Sequence, residues 1–281
     1  MPNRRLCNDE GEKVMRPFAY HRLVSDEDRL SVLKTCDDPK YISGGMTLLP
    51  SMKLGLAMPS DLLDVTGLPG MADVTVNGSR VRIGASVTHA QIAENPMLQS
   101  ACPALCDLAC QIGDRHVRNR GTIGGSVANN DPAADYPAAL VALDAEIETD
   151  RRNIAVADFL MGMFETALDD HELVTAIAFD TPDAARYEKF PHPASGYAMA
   201  GVFLSRTGGA YRAGVTGASG QGAFRWHDLE TLLDEGMPHT EISKLQFDDR
   251  DIFEDRHGSR AYRENLIRVL AIRAAANVHS Q

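Results

Sequence analysis

The chain has 281 residues and 44% hydrophobic content, which is enough to bury a core in one large or two modest domains. Its formal net charge is −11 and its charges of both signs are interspersed, so it lacks the basic stripe with which a protein binds nucleic acid or an anionic membrane surface. Residues 1–17 contain no apolar core of a signal peptide, and no stretch is long enough to span a membrane, so we expect a soluble protein of the cytoplasm.

The beginning of the chain predicts alternating strands and helices. Phe18–Tyr20 is typical of a strand, and Ser25 followed by Asp28 forms the [ST]-x-x-[DE] pattern of a helix N-terminus. Lys40–Ser43 predicts a second strand, which ends at a glycine pair before a helical pattern resumes near Thr47. This order is similar to a βαβ unit.

A β-hairpin is predicted next. The segments Ala72–Val76 and Arg80–Gly84 flank the dipeptide Asn77-Gly78. Because both of these residues tolerate positive φ, the dipeptide favours a type I′ turn.

Two helices should follow the hairpin. Thr88 is expected to cap a helix that runs through Glu94, which gives the next residue, His89, a surface or capping position. A second helix is predicted at Pro103–Ile112, and in the segment ACPALCDLACQIG that contains it three cysteines recur every four residues: Cys102, Cys106 and Cys110. A metal site is one interpretation of that spacing, but small buried helix residues are the favoured one.

A second unit is predicted to begin near Arg186, after the breaker Asp180-Thr-Pro-Asp183. The segments Tyr197–Ser205 and Tyr211–Gly217 alternate in polarity, which favours antiparallel strands. Helical patterns follow at His227–Leu233, at Thr240–Leu245 and after the capping residue Ser259. The predicted fold class is therefore α+β and not doubly wound.

Two glycine-rich segments are the candidates for chemistry, SGGMTLLP at 43–50 and RNRGTIGGSVANNDP at 118–132. Paired glycines let backbone N–H groups converge on a diphosphate without obstruction by a Cβ atom, and a helix that begins near Thr47 would add its dipole. An isolated glycine pair is usually only a turn, so neither segment identifies a site by itself. No GxxxxGK[ST] motif is present, and the glycines at 217, 220 and 222 have the wrong order for GxGxxG.

Taken together and in order, these segments resemble the FAD subunits of the molybdenum hydroxylases, the group that includes the medium subunit of carbon monoxide dehydrogenase and the flavin domain of xanthine dehydrogenase. RNRGTIGG followed by DPAAD is highly specific to that group. The resemblance extends over nearly the whole chain through these further segments: FAYH, SGGMTLLPSMKL, IGASVTHAQI, ARYEKF, GYAMAG and SRAYR.

The resemblance implies a two-part FAD-binding domain of the vanillyl-alcohol-oxidase type at residues 1–180, with parts of about 1–60 and 61–180. A smaller C-terminal domain at 185–281 is expected to hold a three-stranded antiparallel sheet and helices. FAD should be bound non-covalently by these residues: Ser43, Gly44, Gly45, Met46, Thr47, Leu48, Thr122, Ile123, Gly124, Gly125, Ser126, Asp135 and Lys189. Asp135 is expected to accept hydrogen bonds from ribityl or ribose hydroxyls, and Lys189 to stabilise the anion that develops when the flavin is reduced.

The resemblance also implies a division of labour among subunits. A large molybdopterin subunit would oxidise the substrate, and a small [2Fe-2S] subunit would pass electrons to this chain, in a dimer of heterotrimers. This chain would carry neither a catalytic residue nor a metal ligand, and would deliver the electrons to a quinone, NAD or oxygen. Met46 and Gly55 depart from residues that are frequent in the group, so contacts around the first glycine segment are expected to differ.

Two other functions remain open from the sequence. The chain could be a stand-alone FAD-dependent oxidoreductase of the same fold, although no acid–base pair directed at a substrate lies near either glycine segment. It could also be a cofactor-free scaffold subunit, which the intact glycine segments weigh against.

Overall fold

The computed structural model describes residues 15–247 and 250–278. The first fourteen and last three residues, which the predicted domains include, lie outside the described residues. Within the described part of the chain, no helix is long and apolar enough to cross a membrane.

The first unit is a three-stranded parallel sheet with two helices, as the βαβ pattern predicts. Ser25 caps its first helix, because the Oγ atom accepts a hydrogen bond from the backbone N–H of Asp28 at 3.2 Å. The strand order in the sheet is β1-β3-β2. In chain order the elements are β1 (Ala19–Arg22), α1 (Asp26–Leu33), β2 (Pro39–Ile42), α2 (Leu48–Lys53) and β3 (Asp61–Asp64).

The second unit contains an antiparallel sheet with the order β4-β5-β10-β6-β7. Its strands are β4 (Val74–Asn77), β5 (Arg80–Gly84), β6 (Glu146–Thr149), β7 (Asn153–Ala155) and β10 (Val174–Asp180). The predicted β4–β5 hairpin is confirmed, but the prediction of a type I′ turn at Asn77-Gly78 is wrong. Asn77 pairs with Arg80, so the two turn residues are Gly78 and Ser79, and of these only Gly78 has positive φ, 62°.

Between β5 and β10 the chain forms seven helices and a small hairpin in addition to β6 and β7. The helices are α3 (His89–Glu94), α4 (Pro96–Ala101), α5 (Pro103–Cys110), α6 (Arg115–Arg120), α7 (Ile123–Asn129), α8 (Tyr136–Ala142) and α9 (Val156–Phe159), and the hairpin strands are β8 (Leu160–Gly162) and β9 (Glu165–Thr166). The two predicted helices are therefore confirmed, at α3 and α5. Cys102 and Cys106 are buried as expected, whereas Cys110 is exposed because α5 ends there.

The last unit is an antiparallel sheet with the order β11-β12-β13-β14, which has one short strand more than the three expected. Its elements are β11 (Ala184–Pro191), β12 (Ala198–Thr207), β13 (Ala210–Thr216), β14 (Phe224–Arg225), α10 (His227–Asp234), a 3₁₀ helix (His239–Lys244) and α11 (Arg260–Asn277). Ser259 caps α11 as predicted.

Strand β12 is buried along nearly its whole length because both faces of its sheet are covered. Phe203 belongs to the core that α8 shares with the second sheet, and its neighbours Val202 and Leu204 belong to the core beneath α11. Helix α8 approaches very closely, since a Cβ on Gly214 would lie 2.0 Å from the Ala138 carbonyl oxygen. This packing holds the start of α8, and with it Asp135, against the last sheet.

Candidate functional site

A cavity of about 820 Å³ brings the two glycine segments together. Its wall contains most of the predicted residues: Ser43, Gly44, Gly45, Met46, Thr47, Leu48, Thr122, Gly125, Ser126 and Asp135. Three predicted residues do not line it, namely Ile123, Gly124 and Lys189. The volume lies within the range typical of small-molecule and cofactor sites.

The first glycine segment offers unpaired backbone donors to this cavity. Gly45 has a φ of 71°, and α2 begins three residues later. Among the described residues, none accepts a hydrogen bond from the backbone N–H groups of residues 45–48. Because unpaired N–H groups at a helix start attract an anion, this segment has the donors that a diphosphate needs.

The second glycine segment is organised differently. The Ile123 N–H donates to the Val87 carbonyl at 3.1 Å, and the Gly124 N–H donates to the Ala85 carbonyl at 2.9 Å. A Cβ on Gly124 would lie 2.4 Å from the Ala85 Cβ, so this glycine permits close packing on the segment after β5. Unpaired amides are therefore found in the first segment, whereas the second faces the cavity through Thr122, Gly125 and Ser126.

Asp135 and Lys189 form a buried ion pair. The Lys189 Nζ lies 2.9 Å from the Asp135 Oδ1 and also donates to the Gln111 carbonyl at 3.2 Å. The Tyr187 hydroxyl donates to the same carboxylate at 2.5 Å. Burial raises the pKa of Asp135, and the positive charge of Lys189 opposes that shift. From the family resemblance we expected Lys189 to act as a cation beside the cofactor. In the structure its side chain is 1% exposed and its Nζ is bonded to Asp135.

His89 is a cavity residue that the sequence interpretation missed. Thr88 caps α3 as predicted, but His89 is 5% exposed and lines the cavity, so its expected surface position is wrong. Its Nδ1 lies 3.1 Å from the hydroxyl of the fully buried Tyr136. Burial lowers the pKa of His89 to about 4, so the ring is neutral at physiological pH. The sequence carries no signal for this, because the residues that bury the ring are distant in the chain.

A second polar cluster lies outside the cavity. His21, Cys36 and Asp61 place one potential metal-ligating atom each within 4.8 Å of the others. The carboxylate of Asp61 accepts hydrogen bonds from the Ser60 hydroxyl at 2.6 Å and from the His21 Nε2 at 2.8 Å. These bonds lower the pKa of Asp61, with Ser60 as the larger cause, and they satisfy the carboxylate within the protein.

Comparison with known proteins identifies the family. A family model described as "FAD binding domain in molybdopterin dehydrogenase" matches residues 16–181. The nicotine 6-hydroxylase medium subunit of Paenarthrobacter nicotinovorans is 32% identical over 266 residues, which cover 89% of this chain and 93% of that protein. The carbon monoxide dehydrogenase medium chain of Hydrogenophaga pseudoflava is 34% identical over 201 residues, which cover 68% of this chain and 70% of that protein.

A solved structure agrees with the sequence matches. The carbon monoxide dehydrogenase of Hydrogenophaga pseudoflava that lacks the Mo-pyranopterin moiety of its cofactor matches with a TM-score of 0.84 and 26% identity, over 95% of this chain and 99% of that one.

The cavity also fits FAD on its own chemistry. The unpaired amides of residues 45–48 suit a diphosphate, and the half-buried apolar side chains of Ile112 and Val117, which also line the cavity, suit a flat ring. The chain therefore belongs to the family of FAD-binding medium subunits of the molybdenum hydroxylases.

Proposed function

We propose that this chain is an electron-transfer subunit, which holds FAD non-covalently in the cavity between its glycine segments. It takes electrons from the [2Fe-2S] clusters of a small partner subunit and passes them to an external acceptor, while a large partner subunit oxidises the substrate at molybdopterin. FAD supplies the redox chemistry, and the chain supplies binding, orientation and electrostatics. The observation that carries the proposal is the set of unpaired amides at residues 45–48, which open into a cavity shared with Asp135.

The first glycine segment binds the diphosphate in this proposal. Its glycines add no side chain, and its amides provide positive dipoles without a charged residue, which suits an acidic protein. Gly125 and Ser126 flank the cofactor from the second segment, and Thr122 fixes that segment by capping α7 through its Oγ1. Ile123 and Gly124 support it from behind through their bonds to the segment after β5.

Asp135 and Lys189 act as a unit in the same proposal. The carboxylate lies in the cavity wall, where a hydroxyl of the cofactor's ribityl or ribose group can donate to it. A carboxylate beside the phosphates would be repelled, so the hydroxyl-bearing part of FAD is its partner. Lys189 holds the carboxylate in place and favours its ionised form, so its effect on the flavin passes through Asp135.

The finer fold assignment belongs to the proposal as well. We assign residues 1–180 to a two-part FAD-binding domain of the vanillyl-alcohol-oxidase type, with parts of about 1–60 and 61–180, and residues 185–281 to the C-terminal domain. The separate parallel and antiparallel sheets before residue 180, and the third sheet after it, support these boundaries. Relatives described as medium subunits or subunits of a complex support an assembly, for which we retain a dimer of heterotrimers.

The full chain, expressed alone and with its partner subunits, tests this function. Both preparations should be yellow, and denaturation should release intact FAD into the supernatant. In rapid-mixing absorbance measurements, substrate should bleach the flavin of the complete complex and leave that of the isolated chain oxidised. Bleaching of a metal-free isolated chain at the rate of the complex would instead establish a stand-alone oxidoreductase. A folded, colourless complex that cannot bind added FAD would establish a scaffold.

A further inference from the structure

His89 faces the cavity without a role in the proposed diphosphate and hydroxyl contacts. It is the first residue of α3, and its backbone N–H donates to the Gly121 carbonyl at 3.0 Å, which fixes it against the second glycine segment. A Cβ on Gly121 would lie 2.6 Å from the His89 Nε2. The imidazole therefore occupies space that only a glycine at 121 leaves open, with its Nε2 beside another residue of the cavity wall.

The hydroxyl of Tyr136 selects the tautomer of His89. Burial raises the pKa of Tyr136 well above its ordinary value, so the hydroxyl keeps its proton. In the part of the chain that the structure describes, the His89 Nδ1 is the one hydrogen-bond partner of this hydroxyl. Donation to Nδ1 avoids an unpaired buried donor, and it leaves the hydrogen of the neutral ring on Nε2.

The surroundings of His89 keep the ring uncharged. The ionisable groups that face it are the buried phenol of Tyr136 on α8 and the positive Arg118 on α6, which disfavours the imidazolium. Asp135, next to Tyr136 in sequence, has its charge paired with Lys189. The Nε2 thus presents a neutral N–H donor, and none of the described residues accepts its hydrogen.

We propose that the Nε2–H of His89 donates a hydrogen bond to FAD in the cavity, with Tyr136 as the positioning residue that keeps the hydrogen on Nε2. This inference rests on the proposed function, because it requires FAD in this cavity. His89 lines the cavity and its Nε2–H has no acceptor among the described residues, so bound FAD, which presents oxygen and nitrogen acceptors along its length, can accept this hydrogen.

Variants of the full chain separate hydrogen bonding from packing. In His89→Gln the side-chain amide can accept from Tyr136 and still donate into the cavity, so the Kd for FAD should stay within about twofold of the unsubstituted chain. His89→Leu keeps an apolar bulk but loses the donor, so the Kd should rise about three- to tenfold, the effect of one neutral hydrogen bond. His116→Leu, at an exposed position of α6, is the matched control and should leave the Kd unchanged. Quenching of flavin fluorescence on titration into the apo chain measures each Kd.

A second pair of variants covers the case in which His89→Leu fails to fold because it leaves the Tyr136 hydroxyl unpaired. Tyr136→Phe removes the hydroxyl that keeps the hydrogen on Nε2, so ¹⁵N spectra should show the hydrogen on both ring nitrogens, and the Kd should rise by less than in His89→Leu because part of the population keeps the donor on Nε2. The double variant His89→Leu/Tyr136→Phe has no unpaired hydroxyl and should still show the three- to tenfold loss. In ¹⁵N spectra of the unsubstituted chain, the Nε2 of His89 should carry the hydrogen, and the resonance of that hydrogen should shift on addition of FAD.

Three results would overturn the role of His89. The first is an unchanged Kd in His89→Leu or in the double variant, and the second is a hydrogen found on Nδ1 in the unsubstituted chain. The third is FAD binding that tightens as the pH falls through about 6.5 and loses this dependence in His89→Gln, because that would make His89 a counter-ion. Failure of the unsubstituted chain to bind FAD would overturn the proposed function itself, which is a distinguishable outcome.

Discussion

Gly44 is the point at which the two glycine segments touch, so a substitution there tests the geometry of the whole cavity. A Cβ on Gly44 would lie 2.0 Å from the Arg120 carbonyl oxygen and 2.8 Å from the Gly121 Cα. These neighbours are backbone atoms, which cannot rotate away as the end of a side chain can. Gly44→Ala must therefore push the first segment away from the second.

The size of this effect follows from the distances. Ordinary van der Waals contact begins at 3.4 Å, so the segments must separate by roughly 1.4 Å along that contact. Overpacking of this kind costs about 1–3 kcal/mol, and each kcal/mol lowers the Tm of a domain of this size by about 2–4 °C. The amides of residues 45–48 move with Gly44, so their contacts with the diphosphate weaken. A loss of about 1.4 kcal/mol of binding free energy raises the Kd for FAD tenfold.

Differential scanning fluorimetry of the apo chain and titration with FAD measure the two effects separately. Gly162→Ala is the control, because the Cβ it adds would meet nothing closer than 3.5 Å and Gly162 lies outside the cavity wall. We expect Gly44→Ala to lose at least tenfold in FAD affinity and several degrees in Tm, and Gly162→Ala to lose little of either. Equal values for the two variants would refute the contact between the segments.

Three further predictions concern charge. Gly125→Asp should abolish FAD retention, because its carboxylate repels the phosphates. Gly125→Ala should retain most of the FAD, because the added Cβ meets only the Thr122 Oγ1 at 3.0 Å. Equal retention by the two variants would place the phosphates elsewhere. Asp135→Ala should weaken FAD binding, and Lys189→Met should weaken it too, because the buried carboxyl of Asp135 loses the cation that favours its charged form. Lys189→Met should also cost about 3 kcal/mol of unfolding free energy by breaking a buried pair; unchanged values in FAD titration and urea unfolding would remove these roles. The hydrogen bond from Arg152 is the main cause that lowers the pKa of Glu172 from 4.5 to about 2. The ionised Glu172 therefore stabilises the fold fully above pH 4.5, and this contribution to the free energy of unfolding is lost as the pH falls towards 2. Urea unfolding from pH 6 to 2.5 should show the loss, and Glu172→Gln should show a smaller one.

Local patterns predicted the elements that depend on local physics. Ser25, Thr88 and Ser259 cap helices as expected, because a side-chain oxygen that bonds an N–H two or three residues later is a property of a few neighbouring residues. The turn after β4 shows the limit of such patterns. Asn77 and Gly78 tolerate the type I′ conformation, but the register of β4 and β5 places the turn one residue later.

Part of the cavity wall could be predicted from sequence motifs, and part of it could not. The two glycine segments were identified from their sequence and their family resemblance, and the structure brings them together. The burial of His89 was not predictable, since it depends on Gly121 and Tyr136, which lie 32 and 47 residues away. Capping patterns and hydrophobic periodicity describe neighbouring residues, so neither predicts a contact between residues so far apart in the chain.

The contacts of Lys189 also depend on residues distant in the chain, so its residue type alone predicts its role incompletely. A lysine near a flavin suggests a cation that meets negative charge directly. In the fold, β11 directs its Nζ to Asp135 and to the Gln111 carbonyl, so two of its three hydrogens are bonded within the protein. Asp135, and not the lysine, lines the cavity, and burial alone would raise the pKa of this carboxyl. Lys189 opposes that shift, and it therefore shapes the electrostatics of the cavity by favouring the charged form of its neighbour.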